Sequence, residues 1–151
     1  MFRGVSNITV DAKGRVAMPT RHRDRLLEIC EGQLVVTVDV DHCLLIYPQE
    51  EWEQIEGKLV QLSSLNRKAR SLQRLLVGHA TEVELDGNGR MLLPQPLREF
   101  AGIERRAVLI GQGKKFELWD EERWNRNRER WLAEYDGDNL ELSDELESLS
   151  L

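Results

Sequence analysis

The sequence predicts an α+β chain built from two tandem, related halves, and three observations carry that expectation. First, the stretch Asp11–Arg25 returns 75 residues later as Asp86–Arg98. Aligned without a gap, Asp11 matches Asp86, Gly14 matches Gly89, Arg15 matches Arg90, Pro19 matches Pro94 and Arg23 matches Arg98. Identity at such particular positions marks an internal duplication. Second, β-rich runs follow each copy in the same order. Third, PQEEW at 48–52 is echoed by DEERW at 120–124, so the start of an amphipathic helix and its Trp anchor belong to the repeat as well.

Each copy reads as a hairpin. An apolar strand, Ile8–Val10 or Val83–Leu85, runs into Asp-x-x-Gly, and a second strand leaves through Arg and three apolar residues. Asp accepts backbone N–H bonds within a turn, and Gly takes a conformation costly for other residues. The tip of the first copy carries Lys13 and Arg15. Pro19 and Pro94 end the second strand and open short helices, Thr20–Ile29 and Gln95–Ala101. Two readings stay open for Arg15 and Arg90: a side chain paired with the Asp of its own loop, or one presented to a partner. Arg21, Arg23 and Arg25, close behind the first tip, favour the second reading for Arg15.

Val5–Val10 and Arg15–Met18 make the first predicted hairpin. Leu34–Val38 and Cys43–Tyr47 are further strands around a turn at Asp39–His42. Pro48 stops the sheet, and Trp52, Ile55, Leu59 and Leu62 give the following helix one apolar face. Asn66 can cap a second helix, lined by Ala69, Leu72, Leu75 and Leu76 on one side. Its Arg67, Lys68, Arg70 and Arg74 suit a solvated face, an intersubunit ion-pair surface or phosphate contact. In the second half Val83–Leu85 and Arg90–Leu93 frame the echo hairpin. Ala107–Ile110 and Phe116–Trp119 follow, with Gly111–Lys114 as the turn. The helix from Glu121 aligns Trp124, Arg128 and Trp131, the tryptophans being expected to bury against the body or a neighbour. Gly137 ends that segment. The acidic tail Asp138–Leu151, with Leu140, Leu142, Leu146 and Leu149 in helical rhythm, can fold back, contact another subunit or stay mobile. The expected division is 1–78, 79–135 and a tail, 136–151.

The chain has 151 residues and a formal charge of −6, which argues against indiscriminate nucleic-acid binding. The charge is polarised. Residues 1–30 hold six basic and three acidic side chains, whereas residues 120–151 hold four basic and eleven acidic ones. A basic loop on an acidic body suits a site-selective binder of a polyanion. No apolar run approaches a membrane span and MFRG opens no signal peptide, so the expected place is the cytoplasm, away from membranes. Cys30 and Cys43 lack metal spacing and read as small buried hydrophobes.

No catalytic set is legible. His22, His42 and His79 are scattered, and His42 beside Asp39 and Asp41 is explained by a turn. The Gly-Gln-Gly of 111–113 fits no nucleotide-binding frame. No enzyme activity, cofactor or metal is expected.

MFRG at 1–4, DAKGR at 11–15 with Pro19, DGNGR at 86–90 with Pro94, and RLLVGHA at 74–80 together resemble the MraZ family. These are transcriptional regulators encoded at the head of the bacterial division and cell-wall gene cluster. The resemblance runs nearly end to end, through WDEERW at 119–124, and is nearest to proteobacterial members. It implies two AbrB-like swapped-hairpin (double-split) β-barrel halves in a pseudo-two-fold arrangement, with packed peripheral helices. It also implies a ring-forming homo-oligomer that binds direct repeats in double-stranded DNA upstream of its own operon, mainly as a repressor, and so a nucleoid-associated protein. The family's DxxxR motifs fall on Asp11–Arg15 and Asp86–Arg90. Position 13 is Lys where its counterpart, 88, is Asn, so the charge reading favours the first loop as the one that contacts DNA.

On this reading Arg15 offers the O6 and N7 of a guanine a bidentate pair. Arg3, Lys13, Arg21 and Arg23 hold phosphates. Asp11, Gly14, Asp86, Gly89 and Arg90 shape the two turns. Several loops around an oligomer meeting repeated sites supply high effective concentration. The competing reading is a structural or protein-interaction (antitoxin-like) module without sequence-specific DNA binding. A salt-dependent shift of promoter DNA separates the two.

Overall fold

The computed structural model describes residues 1–136 and 143–150. Met1–Glu121 form one compact unit and Glu122–Leu151 a second. The first unit alternates strands and helices in the order β1 (Phe2–Thr9), β2 (Arg15–Ala17), α1 (Thr20–Cys30), β3 (Gln33–Val38), β4 (Leu44–Pro48) and α2 (Gln49–Val60). There follow α3 (Arg67–Leu72), running into a π-helical turn at Gln73–Val77, then β5 (Thr81–Glu84), β6 (Arg90–Leu92), α4 (Gln95–Ala101), β7 (Arg106–Gly113) and β8 (Phe116–Asp120).

The architecture is α+β, but among the described residues the expected barrels are absent. The strands make one open six-stranded antiparallel sheet, in the order β1-β7-β8-β4-β3-β5, and a separate two-stranded ribbon of β2 and β6. Neither sheet closes, and the physical reason lies in the pairing. The first strand of each half pairs with the third strand of the other half, β1 with β7 and β5 with β3. The second strands, three residues each, pair with each other and not with the sheet edges. The expected hairpin of Val5–Val10 with Arg15–Met18 is therefore not a hairpin: a tight turn joins the two strands, which then enter different sheets. Exchanging every strand for its duplicate turns the sheet order into its own reverse.

One core serves both halves. Val16, Met18, Leu26, Leu34, Val36 and Ile46 from the first half are buried in the same cluster as Met91, Leu93, Leu97, Leu109, Phe116 and Leu118 from the second. Strands β3 and β4 are buried on both faces, as central strands covered on two sides must be. Their other face, Val35, Leu45 and Tyr47, meets Trp52, Ile55 and Leu59 of α2, the helix whose apolar spacing marked it. Asn66 caps α3, accepting the N–H groups of Lys68 and Ala69 at 2.9 and 3.3 Å. Strand β7 runs through Gly113, so Gly111 and Gln112 belong to the strand and not to the expected turn. A Cβ on Gly111 would stand 2.7 Å from Arg3 Cα, which is why glycine permits this approach of β1. Cys43 is buried and Cys30 only half-buried, and both are free thiols.

In the second unit, α5 (Glu121–Glu134) sets Trp124 edge-to-face with Trp131, their ring centroids 5.5 Å apart. A short helix α6 (Asp144–Glu147) is capped by Ser143. The expectations for Gly137, Leu140 and Leu142 lie outside the described residues. No helix among the described residues is long and apolar enough to cross a membrane.

Candidate nucleic-acid interface

The duplicated turns are built by their aspartates. Asp11 Oδ1 accepts the backbone N–H groups of Lys13 and Arg15, each at 2.9 Å. Its Oδ2 accepts Arg15 Nε at 2.8 Å. Gly14 closes the turn at φ 86°, a value that favours glycine. Asp86 repeats the pattern, accepting the N–H groups of Asn88 and Arg90 at 2.8 and 2.9 Å, with Gly89 at φ 71°. Arg90 Nε lies 3.3 Å from Asp86 Oδ2 without hydrogen-bond alignment. Both arginines thus stand beside the Asp of their own loop, Arg15 more tightly. The backbone N–H of Arg15, with smaller help from its side chain and from Lys13, lowers the Asp11 pKa to about 2. The N–H of Arg90 likewise lowers that of Asp86.

The ribbon register then decides which way the arginines face. Val16 pairs with Met91, its own duplicate, flanked by Arg15 opposite Leu92 and Ala17 opposite Arg90. Side chains alternate across a strand, so Val16 and Met91 point into the core, both 1% exposed. Arg15, Ala17, Arg90 and Leu92 share the other face, where Leu92 is 56% exposed. The fold therefore brings the two arginines to one outward surface, as diagonal neighbours roughly 7–8 Å apart at Cα.

The basic residues behind the first tip do not gather there. Arg21 lies against β1: its Nη2 donates to Ser6 Oγ at 3.2 Å, its Nε to His22 Nε2 at 3.2 Å, and a Cβ on Gly4 would stand 2.6 Å from that Nη2. Arg25 sits over the Phe2 ring, 5.5 Å from its centroid. Arg23 crosses to the second turn, its guanidinium against Gly89 and its Nη2 3.5 Å from Thr20 Oγ1. Arg3 is exposed on β1 opposite Gln112, and Lys13 is exposed at the first tip. The residue against the first turn is one that charge reading missed, Arg98 of α4. A Cβ on Gly14 would stand 2.8 Å from its Cζ. The match of Arg23 to Arg98 in the duplication was the available signal.

His22 was read as a stray residue, yet it is buried against Phe2 and Phe116 with ring centroids 5.9 and 4.9 Å away. Burial, reinforced by the Arg21 charge, holds its pKa below the usual imidazole value. Asp39, Cys43 and Glu117 bring possible cation donors within 4.8 Å of one another. Each already has a partner in the chain, Cys43 Sγ donating to Asp39 and Trp119 Nε1 donating to Glu117.

Comparison with known proteins completes the picture. A family model described as "MraZ protein, putative antitoxin-like" matches twice, over residues 1–75 and 76–136. The transcriptional regulator MraZ of Thioalkalivibrio sulfidiphilus is 62% identical over 151 residues, covering all of both chains. That of Halorhodospira halophila is 58% identical over 152 residues, again covering both chains completely. That of Pseudomonas aeruginosa (strain PAO1) is 58% identical over 134 residues, 88% of this chain and 89% of its own. With the family model matched in both halves and full-length relatives at this identity, the chain is a member of the MraZ family of transcriptional regulators.

Proposed function

We propose that the chain is a sequence-specific DNA-binding repressor, acting as a ring oligomer on direct repeats upstream of its own division and cell-wall operon. The observation that carries this reading is the outward face of the β2–β6 ribbon. Arg15 shares that face with Ala17, Leu92 and Arg90, its Nε held by Asp11, while its Nη groups donate no hydrogen bond among the described residues. A ribbon three residue pairs long spans about 10 Å, and the major groove, ≈12 Å wide, admits a two-stranded ribbon. Arg15 is the base-reading residue. Lys13 and Arg3, with the outer N–H groups of Arg21 and Arg23, hold phosphates. Asp11, Gly14, Asp86, Gly89 and Arg90 fix the turns, and Arg90 brings the second turn to the same groove. Residues 1–78 and 79–135 act as the two functional halves, followed by the acidic tail 136–151, in a nucleoid-associated protein of the cytoplasm.

Assembly supplies affinity that one ribbon cannot. The open sheet leaves β1 and β5 at its edges, and unpaired edges favour association with another chain. Several copies meeting repeated sites gain effective concentration without new contacts. The test is titration of a duplex from upstream of the protein's own gene at two salt concentrations, with light scattering alongside. Selective, steeply salt-dependent binding by assemblies of at least about six subunits is expected, the salt slope reporting the phosphates neutralised. Salt-independent binding, no preference over scrambled DNA, or a monomer or dimer at micromolar protein refutes the reading.

A further inference from the structure

We propose that Arg98, contributed by the second half, is the positioning residue of the first reading turn. This rests on the functional reading above and deepens it. The geometry is a closed set of contacts between the halves. Leu93 N donates to Gly14 O at 2.9 Å, fixing the carbonyl that precedes Arg15. Arg98, in the last turn of α4, donates its Nε–H to Leu93 O at 3.3 Å. Its guanidinium then lies against Gly14, where a Cβ would stand 2.8 Å from Cζ. Gly14 is flanked by Lys13 and Arg15, so the flat guanidinium sets the orientation of the peptide from which Arg15 projects. Asp11 holds the turn from within, and Arg98 presses it from outside.

The assignment gives the second half a role in reading that needs no base contact of its own. It also separates two properties of Arg98. A planar group lying against a turn acts through shape, whereas a cation near a phosphate acts through charge, and Arg and Lys differ in the first while sharing the second.

The experiment titrates the intact protein and its Arg98→Ala and Arg98→Lys variants against the upstream duplex and a scrambled duplex. Two salt concentrations are used, and melting and assembly size are measured in parallel. Arg98→Ala and Arg98→Lys are both expected to lower the upstream-over-scrambled ratio, by roughly 5- to 150-fold, as loss of an aligned bidentate contact would. Affinity for scrambled DNA and the salt slope stay unchanged. Undiminished preference in Arg98→Ala overturns the proposal. So does rescue by Lys, or equal weakening on both duplexes with a salt slope lowered by about one, which marks a phosphate contact. If Arg98→Ala does not fold, Arg98→Lys decides by the same criteria. Lack of preference in the unaltered protein refutes the functional reading instead, so the two failures are distinguishable.

Discussion

Replacing Arg15 by Ala tests the reading face with little structural disturbance. The turn survives because Asp11 Oδ1 binds the backbone N–H groups of residues 13 and 15, which any side chain at 15 leaves in place. The lost side chain is solvent-exposed over 30% of its surface and its ion pair is a surface one, so melting should barely move. Binding should change greatly. With Nε engaged by Asp11, the proposed reading leaves the Nη groups for one bidentate base contact, worth about 1–3 kcal/mol of discrimination. Two engaged subunits then lose roughly 2–6 kcal/mol when their contacts add independently. Fluorescence anisotropy on operator and scrambled duplexes, with circular dichroism melting, measures both quantities. Arg21→Ala is expected to weaken both duplexes alike and flatten the salt slope. Arg90→Ala is expected to spare operator preference in intact assemblies. Normal selectivity in folded Arg15→Ala, or its loss only in Arg90→Ala, refutes the assignment.

Three further outcomes follow from the core and the turns. Cys43→Ala should cost roughly 1–3 kcal/mol and Cys30→Ala less, since only Cys43 is fully buried; faster native labelling of Cys43 than of Cys30 would contradict this. His22 has a folded pKa below its ordinary 6.5, so the folded state binds fewer protons and stability falls as pH drops through that value. His22→Gln should flatten the change in urea midpoint between pH 7 and 5, and an unchanged slope would exonerate His22. Asp11, lowered from 3.8 to about 2, contributes stability that is lost as pH falls across that interval; Asp11→Asn should shrink the acid limb of the unfolding curve there.

Local chemistry was legible in the sequence, and partner choice was not. Pro19 and Pro94 mark the helix starts, Asn66 its cap and Asp11 to Arg15 a turn, because each depends on neighbours within a few residues. The same letters do not say that β1 pairs with β7, since strand alternation specifies a face and not a partner. Gly111 read as a turn residue because its strand role depends on Arg3, over a hundred positions away. Arg21, Arg23 and Arg25 looked like one cluster because they are close in sequence. On a helix of 3.6 residues per turn Arg21 and Arg25, four apart, share one face and reach Ser6 and Phe2 of β1, whereas Arg23 between them points away and reaches Gly89. The open sheet in place of barrels has the same origin, long-range pairing that no local pattern encodes.

The Val16–Met91 pair has a consequence for how such a chain can vary. In a symmetric homodimer the residues at a two-fold axis come from one gene, and every substitution appears twice. Here the two positions are separate codons, so either turn can drift while the other is kept. Lys13 in one turn and Asn88 in the other is already such a divergence. A ribbon of this kind can acquire a direction along DNA, so that a tandem array of sites is read in one sense and its inversion is not.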